Sequence, residues 1–390
     1  MAPAISGTPF APSSEVNSGK ILCCSRLRYA AVLLSAFAAG CGGGGADTGS
    51  GGATASCTTT QVGALEAAMD AQLSQADSQE DFSFSVERQD GRRYTFNRGA
   101  STMQTLYASA SASKLVATVM ILRLVEQGYL TLAEKPQDLI NSWPIASSDP
   151  LYGMTLAQLL SLTSGLASDS PCLDSTSTGL EACVDDIATT NAGRGMIPGQ
   201  QFFYSDAHHQ VAGLMAVKAR GASGWQDVYT EFKTQTGLFA GSTFDIPSAS
   251  NPRIAGGMAM TGGDYMDFLK ALKTGALLNA ASMSQLLADH TASVTIAFSP
   301  IFSGINGGPG LGEDWHYGFG LWQECQSAIY NCVPGTRVSS PGIYGTYPFW
   351  DLSKDYTGIV VRQGANNTLI TSIKIERVVR PQVEQWAACR

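Results

Sequence analysis

Residues 111–128 of this 390-residue chain read SASKLVATVMILRLVEQG. After Lys114 the stretch is almost entirely apolar; Arg123 interrupts it and Gly128 closes it. A helix that is apolar nearly all round is buried on all sides, so this stretch predicts a helix at the centre of the fold. Ser111 and Lys114 stand three residues apart at its start, which places both side chains on one face.

A serine at the start of a buried helix is a candidate nucleophile. The free N–H groups of the first turn and the helix dipole favour negative charge, so the backbone N–H of Ser111 can act as an oxyanion donor. A lysine held near apolar residues is pushed toward its neutral form and can accept a proton. The alternative is structural, with Ser111 as a helix cap and Lys114 as an exposed charge of the first turn.

Several other segments of the sequence support a catalytic role for Ser111 and Lys114. Residues 198–206 read PGQQFFYSD and resemble the Pro-Gly…Tyr-x-Asn segment of class C β-lactamase-like serine hydrolases, which include family VIII esterases. Similar family segments are EQGYLTL at 126–132, LLSLTSGL at 159–166, GGMAMTGGD at 256–264 and YGFGLW at 317–322. The resemblance covers roughly residues 60–375 and implies that Tyr204 is the general base or proton shuttle.

The third family motif, Lys/His-Thr/Ser-Gly on an inner strand, is altered in this chain. Its best match is Ser340-Pro341-Gly342, which carries no cation. By resemblance, Ser340 and Gly342 would line the substrate site and the Ile343 N–H would be the second oxyanion donor. Loss of the cation removes a partner for the carboxylate of penicillins and peptidoglycan stems, which favours an esterase or amidase. The alternative is that residues 340–342 are only a turn and that the motif strand lies elsewhere in the chain.

Asp206 is a second departure, because the family usually has Asn at this position. One interpretation is that Asp206 is the N-cap of the following helix, where Asp serves as well as Asn. The other is that its carboxylate faces Lys114 and favours the ammonium form, which leaves more of the base role to Tyr204. His208 and His209 follow on that helix and are interpreted as surface or packing residues.

Strand signals lie near both ends of the chain, and helical signals fill the middle. Alternating residues around turns predict two hairpins, over 82–96 and 345–362. Helices are predicted over 58–75, 114–126, 155–162 and 207–220, from 261 onward, and briefly after Pro381. This order predicts an α/β (α+β) fold, an antiparallel sheet flanked by helices with an inserted all-helical lobe. The resemblance implies the β-lactamase/penicillin-binding-protein-like form of it.

We therefore divide the chain into three parts. Residues 57–390 form the hydrolase domain, with an α/β lobe from 57–110 and 250–390 and a helical lobe over about 111–250. Residues 42–56 read as a Gly/Ser-rich tether. Residues 1–41 read as a signal peptide, because basic residues precede an apolar run, YAAVLLSAFAA, that is too short to span a bilayer.

The end of the signal segment, Ala38-Ala39-Gly40-Cys41, resembles a bacterial lipobox with Ala where Leu is usual. Cys41 is thus expected to carry a lipid and hold an exported domain in the cell envelope, at the outer membrane, facing the periplasm or the surface. The alternative is a plain secretory signal and a secreted protein. Membrane contact is expected through the lipid anchor alone.

The hydrolase domain contains six cysteines, and an even number in an oxidising compartment predicts disulfides. Short loops favour Cys172–Cys183 and Cys325–Cys332, which leaves Cys57–Cys389. Terminal helices lying side by side on the sheet would bring that last pair together. Other pairings stay open at this point.

Composition excludes several classes of function. The net charge is −8 without a long Lys/Arg cluster, which argues against nucleic acid as a partner. The sequence has no Gly-x-Ser-x-Gly, and no Cys–His spacing fits zinc, so neither a lipase-type triad, a metal nor a cofactor is expected.

Three hypotheses follow from the sequence. The first is a monomeric serine hydrolase that acts on small-molecule esters or amides through an acyl-Ser111 intermediate and is most like a carboxylesterase. The second is a β-lactamase or D-alanyl-D-alanine carboxypeptidase-like enzyme. The third is a non-catalytic penicillin-binding-like module.

Overall fold

The computed structural model describes residues 56–76 and 80–389, and all of these belong to one unit of the chain, residues 53–390. The predicted signal peptide, Cys41 and nearly all of the predicted tether lie outside the described residues. The strands are β1 Ser83–Arg88, β2 Arg93–Asn97, β3 Leu106–Ala108, β4 Gln201–Phe203, β5 Thr243–Phe244, β6 Met258–Thr261, β7 Thr295–Phe298, β8 His316–Tyr317, β9 Trp322–Gln323, β10 Arg337–Ser339, β11 Tyr347–Asp351 and β12 Tyr356–Val361.

Most of the helices lie in the chain between strands β1–β3 and strands β8–β12. They are α1 Thr59–Gln75, α2 Ser113–Glu126, α3 Pro136–Leu139, α4 Leu156–Leu160, α5 Leu180–Asn191, α6 Ala207–Arg220, α7 Trp225–Thr236, α8 Gly262–Lys273, α9 Ala280–Leu287, α10 Pro300–Ser303 and α11 Thr368–Ala388. Short 3-10 turns cover Ala110–Ala112, Pro150–Gly153 and Pro171–Asp174. The lobe boundaries drawn from the sequence stay a prediction.

The two predicted hairpins meet in one sheet. Seven strands of the described residues form it in the order β2-β1-β12-β11-β10-β9-β8, with antiparallel neighbours. Side chains alternate along β12, so Ile359 and Val361 face the core that contains α2 and α8, and Val360 faces the core that contains α1 and α11. The predicted α/β (α+β) fold, an antiparallel sheet flanked by helices, is confirmed.

Two smaller sheets contain the segments next to the predicted residues Ser111 and Tyr204. β6 lies between β3 and β5 in an antiparallel sheet, and β4 pairs with β7 in parallel. The predicted central helix is α2, which packs against α6 and α7. Every residue from Ser113 to Leu122 is buried. The start of α2 is therefore fixed from all sides.

Helix α11 differs from the prediction of a short helix after Pro381. It runs through that proline from Thr368 to Ala388. A proline inside a helix removes a backbone donor and costs about 3 kcal/mol. Val379, Val383 and Trp386 are nevertheless buried on both sides of it, and α11 packs along α1. Tertiary packing thus outweighs the local cost.

Three disulfides join the pairs that the sequence favours. Cys57–Cys389 connects the start of α1 to the end of α11, Cys172–Cys183 ties a 3-10 turn to α5, and Cys325–Cys332 closes a surface loop. Within the described ranges, none of the helices has the length and apolar character needed to cross a membrane.

Candidate active site

Ser111 lies in a tight connection between β3 and α2. Ser109, just before it, donates from its backbone N–H and from Oγ to the Met258 carbonyl, at 2.8 and 2.9 Å. The Tyr265 hydroxyl donates to the Ala112 carbonyl at 2.8 Å. These bonds fix the backbone on both sides of Ser111, whose side chain lines a cleft. The cap interpretation of Ser111 is wrong, because α2 has Ala112 as its N-cap and no side-chain cap bond.

Lys114 lies directly beneath Ser111. Its side chain is fully buried, so the alternative of an exposed first-turn charge is wrong. Lys114 Nζ donates to Ser111 Oγ at 3.0 Å, to Asp206 Oδ1 at 2.6 Å and to the Ala255 carbonyl at 3.4 Å. The structure therefore brings the candidate nucleophile, a buried cation and a carboxylate into one chain of contacts.

Tyr204 stands at the end of β4, beside Lys114. Its backbone N–H donates to the Phe298 carbonyl at 3.2 Å. Its ring stacks on Trp322, with centroids 5.1 Å apart, and meets Tyr317 edge-on at 6.2 Å. Lys114 Nζ lies 4.6 Å from the centroid of the Tyr204 ring. The cation and the aromatic walls hold the phenol in the same cleft as Ser111.

The charge state of Lys114 is set by Asp206. Burial acts to lower the pKa of Lys114, but Asp206, with smaller contributions from Tyr204 and Asp169, outweighs burial and the pKa is raised. Burial likewise acts to raise the pKa of Asp206, but the Lys114 ammonium and then the Arg253 guanidinium hold it below its usual value. Lys114 and Asp206 thus form an ion pair.

Asp206 does not act as the side-chain cap of α6. It is the N-cap residue, but its side chain makes no cap bond and turns to Lys114 instead. Asp169 takes that role, because its Oδ1 accepts from the Asp206 N–H at 2.8 Å and from the Ala207 N–H at 2.9 Å. Asp169 was missed from the sequence, since nothing local links it to a helix that starts 38 residues later.

The segment that matches the third motif lies against the Ser111 turn. Ser340 Oγ donates to the carbonyls of Ser111 and Gly320, each at 3.3 Å. A Cβ on Gly342 would stand 2.1 Å from the Ser109 carbonyl oxygen, so this approach requires glycine. The segment thus lies beside the nucleophile turn, and its identity as the third motif stays a prediction. Ser340 and Gly342 do not line the cleft as expected, whereas Pro341 and Ile343 do, because Ser340 and Gly342 pack against the backbone of the Ser111 turn.

The residues that carry the two predicted oxyanion donors line the same cleft. Within the described residues, neither the Ser111 N–H nor the Ile343 N–H donates to a protein acceptor. Both residues line the cleft. Unsatisfied backbone donors beside a nucleophile are the arrangement that stabilises an oxyanion, and the oxyanion role itself stays a prediction.

A model of the Beta-lactamase family matches residues 86–369, which is most of the chain. The chain belongs to the Beta-lactamase family. Proteins of this family are generally serine hydrolases. No curated protein sequence matches the chain.

Solved structures show the same beta-lactamase-like fold. A candidate beta-lactamase from Bacteroides dorei DSM 17855 is 21% identical, with a TM-score of 0.65 over 82% of this chain and 98% of its own. EstCE1, a hydrolase with promiscuous acyltransferase activity, is 19% identical, with a TM-score of 0.63 over 83% and 99%. The LovD6 mutant of simvastatin synthase from Aspergillus terreus is 17% identical, with a TM-score of 0.60 over 85% and 98%.

The cleft of this Beta-lactamase-family chain has a volume of about 360 Å³. Part of its lining is apolar, from Ile301, Ile305, Ile343 and Leu369. Another part is charged, from Asp169, Asp174, Asp206 and Arg253. Asp174 and Arg253 were also missed from the sequence, because neither belongs to a motif. Within the described residues, no group of three or more His, Cys, Asp or Glu side chains could hold a metal ion.

Proposed function

We propose that this chain is an exported serine hydrolase that cleaves ester or amide bonds of small molecules through an acyl-Ser111 intermediate, with carboxylesters as its main substrates. The observation that carries the proposal is the contact of Lys114 Nζ with Ser111 Oγ at 3.0 Å in a cleft of substrate size. A serine whose oxygen accepts from a buried cation has its alkoxide stabilised as it forms, which favours its use as a nucleophile.

Acylation begins when Ser111 Oγ attacks the substrate carbonyl. Lys114, held as an ammonium ion by Asp206, donates to Oγ and stabilises the developing alkoxide. The serine proton moves to the Tyr204 oxygen as Tyr204 passes its own hydroxyl proton on toward the leaving group, and the N–H groups of Ser111 and Ile343 receive the oxyanion. The proton that Tyr204 gives up reaches the leaving oxygen or nitrogen as its bond to the acyl carbon breaks.

Deacylation repeats these steps with water as the nucleophile. Water attacks the acyl carbon and gives up its proton through Tyr204. The bond to Ser111 Oγ breaks, Oγ regains a proton and the carboxylic acid leaves. No cofactor enters this scheme.

The altered third motif favours esters over β-lactams and peptidoglycan stems. Ser340 stands beside the nucleophile turn, where the family motif has a cation for a substrate carboxylate. The intact set of Ser111, Lys114 and Tyr204 opposes a non-catalytic binding module.

Active-site labelling and turnover test the proposal together. A fluorophosphonate probe is expected to label the wild type, with the adduct on Ser111, and p-nitrophenyl butyrate to be hydrolysed faster than a chromogenic cephalosporin. Ser111→Ala is expected to lose labelling and at least about 10⁴-fold in kcat/KM, whereas the exposed control Ser177→Ala keeps both. Faster cephalosporin turnover would favour a β-lactamase, and a protein without labelling or turnover would be a binding module.

We also propose that the domain is held in the cell envelope through a lipid on Cys41 and acts as a monomer. Three disulfides support an oxidising compartment. Recovery of the protein in the membrane fraction tests the anchor, and a wholly soluble exported protein would indicate a plain secretory signal.

A further inference from the structure

Arg253 is the one guanidinium among the described residues that line the cleft. Its side chain is 29% exposed, and its Nη2 lies 2.5 Å from Asp174 Oδ1. Its Nε lies 3.7 Å from Asp206 Oδ2, but Asp206 already accepts from Lys114 Nζ at 2.6 Å. Asp174, and not Asp206, is therefore the close ion-pair partner of Arg253.

Both members of the Asp174–Arg253 pair stand on fixed backbone. The Arg253 N–H donates to the Ile246 carbonyl at 2.8 Å. Asp174 ends the 3-10 turn that begins at Pro171, and Cys172 of that turn is bonded to Cys183. The side chain of Asn251 joins the two loops by donating to the Cys172 carbonyl at 2.8 Å. The backbone hydrogen bonds, the disulfide and the Asn251 side chain thus keep Asp174 and Arg253 close together.

The pair determines the charge that a substrate meets. Three carboxylates line the cleft, those of Asp169, Asp174 and Asp206. Two cations face them: Arg253, which also lines the cleft, and Lys114, which is buried behind it. Each cation has a carboxylate within 2.6 Å. Each cation thus has its charge balanced by a carboxylate, so a substrate carboxylate would gain less at either one than at an unpaired cation, whereas an uncharged ester would lose nothing.

We propose that Asp174 is a specificity-determining residue, which neutralises Arg253 and so selects uncharged esters over esters that carry a carboxylate. The inference rests on the proposed ester hydrolysis. The Asp174 side chain is 79% exposed, so its bond to Arg253 is weak and can be removed without loss of the fold. A freed guanidinium has donors in the planar geometry that binds carboxylates.

The test compares two esters with the same leaving group. The p-nitrophenyl esters of valeric acid and of glutaric acid have acyl chains of equal length, and the second ends in a carboxylate. Asp174→Asn is expected to raise the ratio of kcat/KM for the glutarate to that for the valerate by about threefold to tenfold, mainly through KM. The gain should shrink as salt is added, because the site is partly exposed.

Two further variants locate the effect. Asp174→Asn combined with Arg253→Gln is expected to return the ratio to the wild-type value. Asp267→Asn removes an exposed partner of Arg93, at 2.9 Å and outside the cleft lining, and is expected to leave the ratio unchanged. An unchanged ratio in Asp174→Asn, or a gain that survives the loss of Arg253, would overturn the inference alone. Failure of the wild type to hydrolyse either ester would overturn the proposed function, and the inference with it.

Discussion

Lys114 Nζ and Asp206 Oδ1 lie 2.6 Å apart, and in the proposed mechanism their charges decide how Ser111 loses its proton. A neutral lysine would remove that proton itself. The pKa of Lys114 is instead raised, because burial, which lowers it, is outweighed by Asp206 together with Tyr204 and Asp169. The ammonium form can only donate to Ser111 Oγ, so the proposed mechanism assigns the base role to Tyr204. Lys114 Nζ also lies 4.6 Å from the centroid of the Tyr204 ring, so the two side chains are close enough to act together.

Replacement of Asp206 by Asn tests this assignment at the level of one residue. Asn keeps the shape but removes the charge, so burial would dominate and the pKa of Lys114 would fall. If activity needs the ammonium, the alkaline limb of the kcat/KM–pH profile moves about one to three units to lower pH.

The measurement is the pH dependence of kcat/KM for p-nitrophenyl butyrate, with Asp267→Asn as the control for loss of a surface carboxylate. Greater activity of Asp206→Asn at neutral pH would mean that Lys114 is the base. Superimposable profiles would mean that Asp206 does not control Lys114.

Helix α6 positions Tyr204 through a buried histidine. His208 Nε2 lies 3.0 Å from the Phe203 carbonyl, an acceptor, so Nε2 carries the proton. Its Nδ1 lies 2.8 Å from Ser164 Oγ and accepts from it. The ring thereby joins α6 to the residue before Tyr204 and to the LLSLTSGL segment. Both His208 and His209 are fully buried, so they are packing residues.

This histidine makes the stability of the fold depend on pH. Burial lowers the pKa of His208 to about 3. Between about pH 3 and about pH 6.5 the unfolded chain binds a proton at this position and the folded chain does not, so stability rises with pH across that window by up to about 1.4 kcal/mol per unit. Gln in place of His208 can donate and accept but does not titrate.

The expected result is a smaller slope in His208→Gln. The free energy of unfolding in urea, followed by tryptophan fluorescence between about pH 4 and about pH 6, should depend on pH less steeply than in the wild type, by about 1.4 kcal/mol per unit. The variant is also expected to be about 1–3 kcal/mol less stable near pH 7, because Gln fits the two partners less well. Parallel slopes would show that His208 is not kept neutral by the fold.

Elements whose signals are local could be predicted from the sequence. The N-caps Thr58 and Thr155 each form a capping box with a glutamine three residues later, and Thr261 accepts from the Asp264 N–H. Elements that depend on distant partners could not. The β3–β6 and β4–β7 pairs join short strands far apart in the chain, and α11 continues through Pro381 only because α1 and the sheet cover it.

The candidate site divides in the same way. Ser111, Lys114, Tyr204 and the 340–343 segment stand in motifs. Ser111, Tyr204, Pro341 and Ile343 line one cleft, whereas Lys114 and Ser340 contact Ser111 without lining it. The choice between two roles for Asp206 could not be made from the sequence, because it depends on Asp169 already occupying the cap.

At the scale of the whole molecule, the first and last elements of the described chain pack against each other. β1 pairs with β12, α1 packs along α11, and Trp386 Nε1 donates to Glu66 Oε1 at 2.9 Å. The Cys57–Cys389 disulfide spans 332 residues across this junction, whereas Cys325–Cys332 spans 7. A crosslink stabilises mainly by restricting the unfolded chain, and more so when the loop is long.

The two disulfides are therefore expected to differ in their contribution to stability. The chain-entropy model gives about 6 kcal/mol for the long loop and about 2 kcal/mol for the short one. Paired Cys→Ser substitution at 57 and 389 should thus lower the free energy of unfolding in urea by at least about 2 kcal/mol more than paired substitution at 325 and 332. Ester hydrolysis at 25 °C by the remaining folded protein should persist in both variants, because neither pair lines the cleft. Equal losses would mean that the terminal helices and the β1–β12 pairing hold the ends together even in the unfolded chain.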